Sequence, residues 1–214
     1  MAEQWFMSDW HLFHRNIFEL FKIDCPHCLG GTIATDDIGN WGYCPHCKGT
    51  WKIPARPFTS VEEMHSTMVE RHNAVVRGPD HYHNLGDVTM LRGGAKQQDL
   101  MVGAVKQFNG HGRLVLGNHD HLPMRSYTEA GFEKIYGSHR IGNLIFSHWP
   151  LHPSSIGKGC VNVHGHIHTM PAPPGPYINI SVEAINYTPI SLGELRERAA
   201  KLLEVTEKMD SDPF

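Results

Sequence analysis

Leu114-Val115-Leu116-Gly117-Asn118-His119-Asp120 is an apolar run that stops at a glycine and opens into side chains able to bind a metal or move a proton. Short apolar runs bounded by glycine or polar residues read as buried strands, so the stretch predicts a strand that ends in a functional loop. The design recurs along the chain. Trp5-Phe6-Met7 precedes Asp9-Trp10-His11, and Tyr82 to Leu85 precedes Gly86-Asp87. Leu144-Ile145-Phe146 precedes Ser147-His148, and Val161-Asn162-Val163 precedes Gly165-His166-Ile167-His168. Ligands at strand ends stand on rigid backbone and still face a cleft.

Helices are expected between these strands. Ser60-Val61-Glu62-Glu63 is a capping box, followed by Met64, Met68, His72 and Val75 at helical spacing, with Gly78-Pro79 as the stop. Residues 95–108 place Met101, Ala104, Val105 and Phe108 on one face. Ser191-Leu192-Gly193-Glu194 is a second capping box, opening a helix with Leu192, Leu195, Ala199 and Leu202; the polar tail after Lys208 is expected to fray. From Phe132 to Ile180 the pattern is a run of strands, at 132–136, 138–141, 143–146, 160–163 and 177–180. Alternation followed by a strand run predicts an α/β (α+β) domain of two packed sheets flanked by helices.

Composition sets the frame. A chain of 214 residues that is 40% hydrophobic can bury one good core. A net charge of -3 excludes a global basic field that would recruit nucleic acid. No stretch approaches the roughly 20 apolar residues of a membrane helix, and Met1 to Met7 carries no basic region or signal core. The expectation is a cytoplasmic protein, away from membranes and without an obligate protein partner.

The polar islands supply seven oxygen or nitrogen ligands: Asp9, His11, Asp87, Asn118, His148, His166 and His168. Seven is too many for one ion and suits two ions that share a carboxylate. Asp9 and His11 stand two apart, as do His166 and His168; on an extended strand each pair would point to one face. Asp, Asn and His together suit divalent Mn, Fe, Zn, Co or Ni. Two such ions roughly 3.5–4 Å apart can clamp a phosphoryl group.

In this order the islands Asp-x-His, Gly-Asp, Gly-Asn-His-Asp, His and Gly-His-x-His resemble the calcineurin-like metallophosphoesterase superfamily. Ser8-Asp9-Trp10-His11-Leu12-Phe13-His14-Arg15-Asn16-Ile17 looks like its small single-domain branch of bacteria and phages. The resemblance implies a four-layer αββα sandwich of two mixed sheets flanked by helices. It implies that Asp9, His11 and His168 bind one metal, that Asn118, His148 and His166 bind the other, and that Asp87 bridges them. By the same resemblance a hydroxide held between the metals is the nucleophile, His119 is the general acid, and Asp120 fixes the orientation of His119. His14 is a candidate for the substrate phosphate, and an ordinary helix-start residue otherwise. His164 reads as a residue behind the ligands or in the core, and His152 as a residue that lines the cleft or does nothing. Gly86-Asp87-Val88-Thr89-Met90-Leu91-Arg92, and Asp120 in place of Glu, depart from the phosphoprotein-phosphatase pattern. The expected substrate is a phosphate ester, with nucleotides and nucleic acid among the candidates. A phosphodiesterase is favoured over a phosphomonoesterase or protein phosphatase. A non-catalytic binding module on the same scaffold is the alternative of another class.

Cys25-Pro26-His27-Cys28 and Cys44-Pro45-His46-Cys47 are separated by 15 residues. The spacing reads as a tetrahedral structural Zn held by four thiolates and resembles a zinc ribbon. Gly30-Gly31 and Gly39-Asn40 are expected to supply its turns, and Trp41, Tyr43 and Trp51 its exposed aromatics. The 24–53 insert interrupts the 1–214 domain and is too small to fold without its metal. Its position admits two roles, a cap that contributes to substrate choice or a stabilising knob. Cys160 reads as a buried small hydrophobe.

Overall fold

The computed structural model describes residues 2–211, apart from 21, 29–32, 35–40, 43, 49 and 51. The chain divides into two compact units. One is built from Met1–His14 and Ser60–Phe214, the other from Arg15–Thr59, a wider segment than 24–53.

The larger unit is mixed α/β. Its five-stranded sheet holds β1 (Gln4–Met7), β6 (His81–Asn84), β7 (His111–Val115), β8 (Phe132–Tyr136) and β13 (Ile190–Ser191), in the order β13-β1-β6-β7-β8. All neighbours are parallel except β13 with β1. Its four-stranded sheet holds β9 (His139–Ile141), β10 (Leu144–Phe146), β11 (Val161–His164) and β12 (Tyr177–Asn179), in the order β12-β11-β10-β9. Only β9 is antiparallel to its neighbour there.

The two sheets share one core. Phe6, Leu85 and Val115 from the first meet Leu144, Phe146, Val161 and Val163 from the second. The rings of Phe6 and Phe146 stack at 4.5 Å between centroids. On the far side of the first sheet, Trp10 stacks on Phe108 at 4.0 Å and on Tyr82 at 6.0 Å, with His72 edge-on to all three. Rings at such offsets add about 0.5–1.5 kcal/mol per pair beyond area burial. The outward side chains of the second sheet, Ile145 and Tyr177, are covered by Leu151, Ile156 and Ala172 from loops. Cys160 joins this cluster as a buried residue.

Helix α2 (Val61–Val75) starts where its capping residue stands: the Glu63 N–H donates to Ser60 Oγ at 3.0 Å, a cap worth about 1 kcal/mol. Helix α3 is Ala95–Val105, and α5 (Leu192–Ser211) opens with the Glu194 N–H donating to Ser191 Oγ at 3.1 Å. The α5 helix runs beyond Lys208, where fraying was expected, and its Leu195 and Ala199 enter the shared core. Helix α4 (Met124–Ala130) has no counterpart in the sequence reading. It spans barely two turns, too few for periodicity to register, and ends at Gly131 with φ 114.

The smaller unit contains α1 (Ile17–Leu20), β2 (Lys22–Asp24), β3 (Ile33–Ala34), β4 (Trp41–Gly42) and β5 (Lys52–Pro54). β2 pairs with β5 and β3 with β4, both antiparallel. The expected Gly30-Gly31 and Gly39-Asn40 turns, and the side chains of Trp41, Tyr43 and Trp51, lie outside the described residues. Among the described residues no helix is long and apolar enough to cross a membrane.

Candidate metal centre

Parallel strands point their C-terminal ends the same way, so the loops leaving them gather at one edge. Asp9 follows β1, Asp87 follows β6, Asn118 follows β7, His148 follows β10 and His166 follows β11. The first two loops run side by side: the N–H groups of Asp9, His11 and Leu12 donate to the carbonyls of Gly86, Asp87 and Val88 at 2.9–3.0 Å.

The backbone there is not extended. β1 stops at Met7, and Asp9, His11 and Phe13 have φ 61, 50 and 65. Asp87, His166 and His168 repeat this with φ 56, 70 and 51. The expectation that each pair shares a face through strand alternation is therefore corrected. Left-handed residues curl the chain, and it is this curl that aims the side chains inward. Such conformations are uncommon for residues other than glycine and cluster at functional sites.

Two groups of ligand atoms result. Asp9, His11 and His168 form one, Asp87, His148 and His166 the other, with the atoms of each within 4.8 Å of one another. Asp87 stands between them: its Oδ2 is 3.5 Å from His11 Nε2 and 3.4 Å from His148 Nε2. Asn118 Oδ1 lies 2.9 Å from His148 Nε2, and His166 Nδ1 lies 3.2 Å from the same atom. Two ligand atoms about 2.0–2.2 Å from one ion are roughly 3.0–3.5 Å apart at octahedral to tetrahedral angles. The donor set therefore fits divalent ions, and these residues can hold them.

The remaining ring nitrogens support that fit. His148 Nδ1–H donates to the Leu85 carbonyl at 2.8 Å, and His168 Nδ1–H donates to Glu183 Oε1 at 2.9 Å. Each bond favours the tautomer whose Nε2 carries the lone pair that a metal ion would take. Sequence reading missed Glu183. The available signal was its place just past the apolar run 177–180, the same cue that marked the other islands. Asp9 accepts the His166 N–H at 2.9 Å. Gly117 and Gly165 are required by close approach: a Cβ at Gly117 would collide with the Asp87 carboxylate, and one at Gly165 with Ser8 Oγ and the Asp9 carboxylate.

Burial raises the Asp87 carboxyl, but its bonds to His148 and the His119 N–H outweigh this and leave it below the usual range. For His148 burial favours the neutral ring, while Asp87 and Asp9 prevail and raise it. His166 is lowered by burial and by neighbouring His148.

His119 sits at the edge of both groups. Its side chain is 31% exposed, its Nε2 is 4.0 Å from Asp87 Oδ2, and its ring is 5.4 Å from that of His11. Asp120 does not orient it. The Asp120 carboxylate accepts the N–H groups of Asp87 at 2.9 Å, Val88 at 3.0 Å and Gly117 at 2.8 Å, and the Tyr127 O–H at 3.3 Å, whereas His119 Nδ1 has no hydrogen-bond partner. The reason is that the chain turns after Asn118, so Asp120 faces back into the loops. Burial and the adjacent carboxylate push the Tyr127 hydroxyl up, which keeps it a donor.

His14 lies beside the site, its ring 5.5 Å from that of His11. His164 is buried behind it, with Nδ1–H donating to the Gly165 carbonyl at 2.8 Å. His152 caps the short turn Pro153–Ser155.

In the smaller unit Cys25, Cys28, Cys44 and Cys47 form a separate group that can hold a metal. The Cys25–Cys44 and Cys28–Cys47 sulfurs are 3.8 and 3.7 Å apart. That is the edge of a tetrahedron with metal–sulfur bonds of about 2.3 Å, and far longer than a disulfide. The rings of His27 and His46 stack on one another at 3.6 Å.

The chain belongs to the same family as the uncharacterized protein MJ1445 of Methanocaldococcus jannaschii. The two are 31% identical over 148 residues, which cover 64% of this chain and 76% of MJ1445. The fold is similar to that of the protein of unknown function AQ665 from Aquifex aeolicus, with a TM-score of 0.60 and 22% identity over 92% of this chain and 99% of AQ665. No family model matches the chain.

Proposed function

We propose that the protein is a two-metal-dependent phosphoesterase of the calcineurin-like type, acting on phosphodiesters in preference to monoesters. The observation that carries this reading is the place of Asp87, whose carboxylate stands within 3.5 Å of a ligand from each group. In this reading Asp9, His11 and His168 hold one ion, and Asn118, His148 and His166 the other. Bound there, the ions would neutralise phosphoryl charge and lower the pKa of a water nucleophile. The chain's own residues do the rest. Asp87 fixes the spacing, Glu183 and the Leu85 carbonyl set the ring tautomers, and His119 is free at the open edge to protonate a leaving oxygen. A module that only bound a ligand would have no use for this partly exposed imidazole.

The four-layer αββα arrangement belongs to the same proposal. The Cys group is read as a structural zinc in a zinc-ribbon-like insert.

The test is turnover after chelation and re-addition of single metals, Mn first, against aryl and alkyl phosphodiesters and aryl monoesters. Asp87→Asn should abolish turnover. His119→Ala should keep its metal and lose most activity on alkyl diesters, whose leaving groups need a proton. An alkyl diester hydrolysed by His119→Ala at the wild-type rate would refute the acid assignment.

A further inference from the structure

Trp149 follows a buried ligand and is 44% exposed. Its ring lies edge-on to that of His148 at 4.9 Å and 5.9 Å from that of His166. Exposing an indole costs hydrophobic free energy, and this one is not a loose side chain on a loose loop. The Trp149 carbonyl accepts the Ser147 hydroxyl at 2.7 Å. Ser147 Oγ in turn accepts from Asn162 Nδ2 at 2.8 Å, and Asn162 Oδ1 accepts the Leu151 N–H at 2.8 Å. Asn162 is fully buried on β11, so a satisfied polar network inside the sheet fixes the backbone on both sides of Trp149. The result is a rigid aromatic face held open to solvent at the rim of the metal centre.

We infer that Trp149 is a stacking platform for a planar aromatic group on the substrate, which makes nucleotide phosphate esters the substrate class. The inference rests on the phosphoesterase reading for its reaction but not for its binding. Base–aromatic stacks are sequence-tolerant and contribute enough to change affinity by about tenfold or more. The ring stands 4.9 Å from that of His148 and 5.9 Å from that of His166, within reach of a planar group carried by a phosphate that those residues would bind.

The test is calorimetric titration of the manganese-loaded full chain with a nucleoside 5′-monophosphate, ribose 5-phosphate and inorganic phosphate, using wild type, Trp149→Ala and Trp149→Phe. Wild type should bind the nucleotide about tenfold more tightly than ribose 5-phosphate. Trp149→Ala should erase that preference with phosphate affinity and metal content unchanged, and Trp149→Phe should keep most of it. A base preference that survives in Trp149→Ala overturns the inference, and so does its absence in wild type. Equal weakening of all ligands, or loss of metal, in Trp149→Ala would assign Trp149 to bracing the histidines and also overturn it. Diester turnover without base preference would leave the phosphoesterase reading standing alone. Base-dependent binding without turnover of any ester would leave only the platform.

Discussion

The carboxylate of Asp120 accepts the backbone N–H of Asp87 at 2.9 Å, so one acid holds the backbone of another in place. With Val88 and Gly117 on the same carboxylate, Asp120 ties the loop after β6 to the loop after β7. Asp120→Ala would leave three N–H groups without an acceptor, two of them buried, at a cost of roughly 3 kcal/mol. Urea unfolding should show that loss, together with weakened metal binding. His119→Ala, at an exposed edge, should unfold within about 0.5 kcal/mol of wild type. An Asp120→Ala protein as stable as wild type would show that the clamp is dispensable.

Glu183 accepts from His168 Nδ1–H at 2.9 Å, so on the proposed reading it would act on one metal through that ring. Glu183→Gln can still accept from His168 Nδ1–H but no longer bears the charge that strengthens the imidazole. Partners of this kind contribute about 10–100-fold to metal affinity. Competition against a chelator of known affinity should place Glu183→Gln in that range for one ion, with the other little changed.

The Cys group and the Asp/His groups should load independently. Elemental analysis of the purified Cys44→Ser chain should find the metal of the Cys group, proposed as zinc, lost and the others retained. Asp87→Asn should do the reverse. Both metals lost together in Cys44→Ser would refute the separation.

His72 makes a pH prediction. Burial among Trp10, Tyr82 and Phe108 lowers its pKa from 6.5 to about 4, and the Asn109 carbonyl, which accepts from His72 Nε2–H at 2.9 Å, recovers only part. Above pH 6.5 the ring is neutral in both states and its contribution is fully present. As pH falls below 6.5 the unfolded chain takes up the proton first, so stability declines until the folded ring also protonates near pH 4. The whole effect is at most roughly 3 kcal/mol. In chelator-treated protein, His72→Phe should show a shallower fall of Tm between pH 6.5 and 4 than wild type. Parallel curves would refute the assignment.

Much of this was legible because each island pairs an apolar run with polar residues. The strands at 132–136 and 144–146, the caps at Ser60 and Ser191, and the Asp and His residues that the loops bring together were readable in the sequence. What escaped notice is what sequence spacing does not encode. The left-handed backbone at Asp9 and His11 gives the same two-residue interval as a strand, so the correct convergence was expected for the wrong reason. Asp120 is adjacent to His119 in sequence, but a turn sends their side chains apart. Glu183 and Asn162 act through contacts with residues 15 positions away, and β13 is only two residues long.

The hydrogen bond from His166 N–H to Asp9 joins positions 157 residues apart, while the paired Cys sulfurs are only 19 apart. Closing the short loop is cheap, and closing the long one requires both sheets to be in place. The two kinds of site are therefore expected to form at different stages of folding. On the proposed reading a partly folded chain should already be able to capture an ion at the Cys group, whereas the Asp/His centre requires the finished core. During refolding, metal uptake at the Cys group should precede the cooperative transition and uptake at the Asp/His centre should follow it.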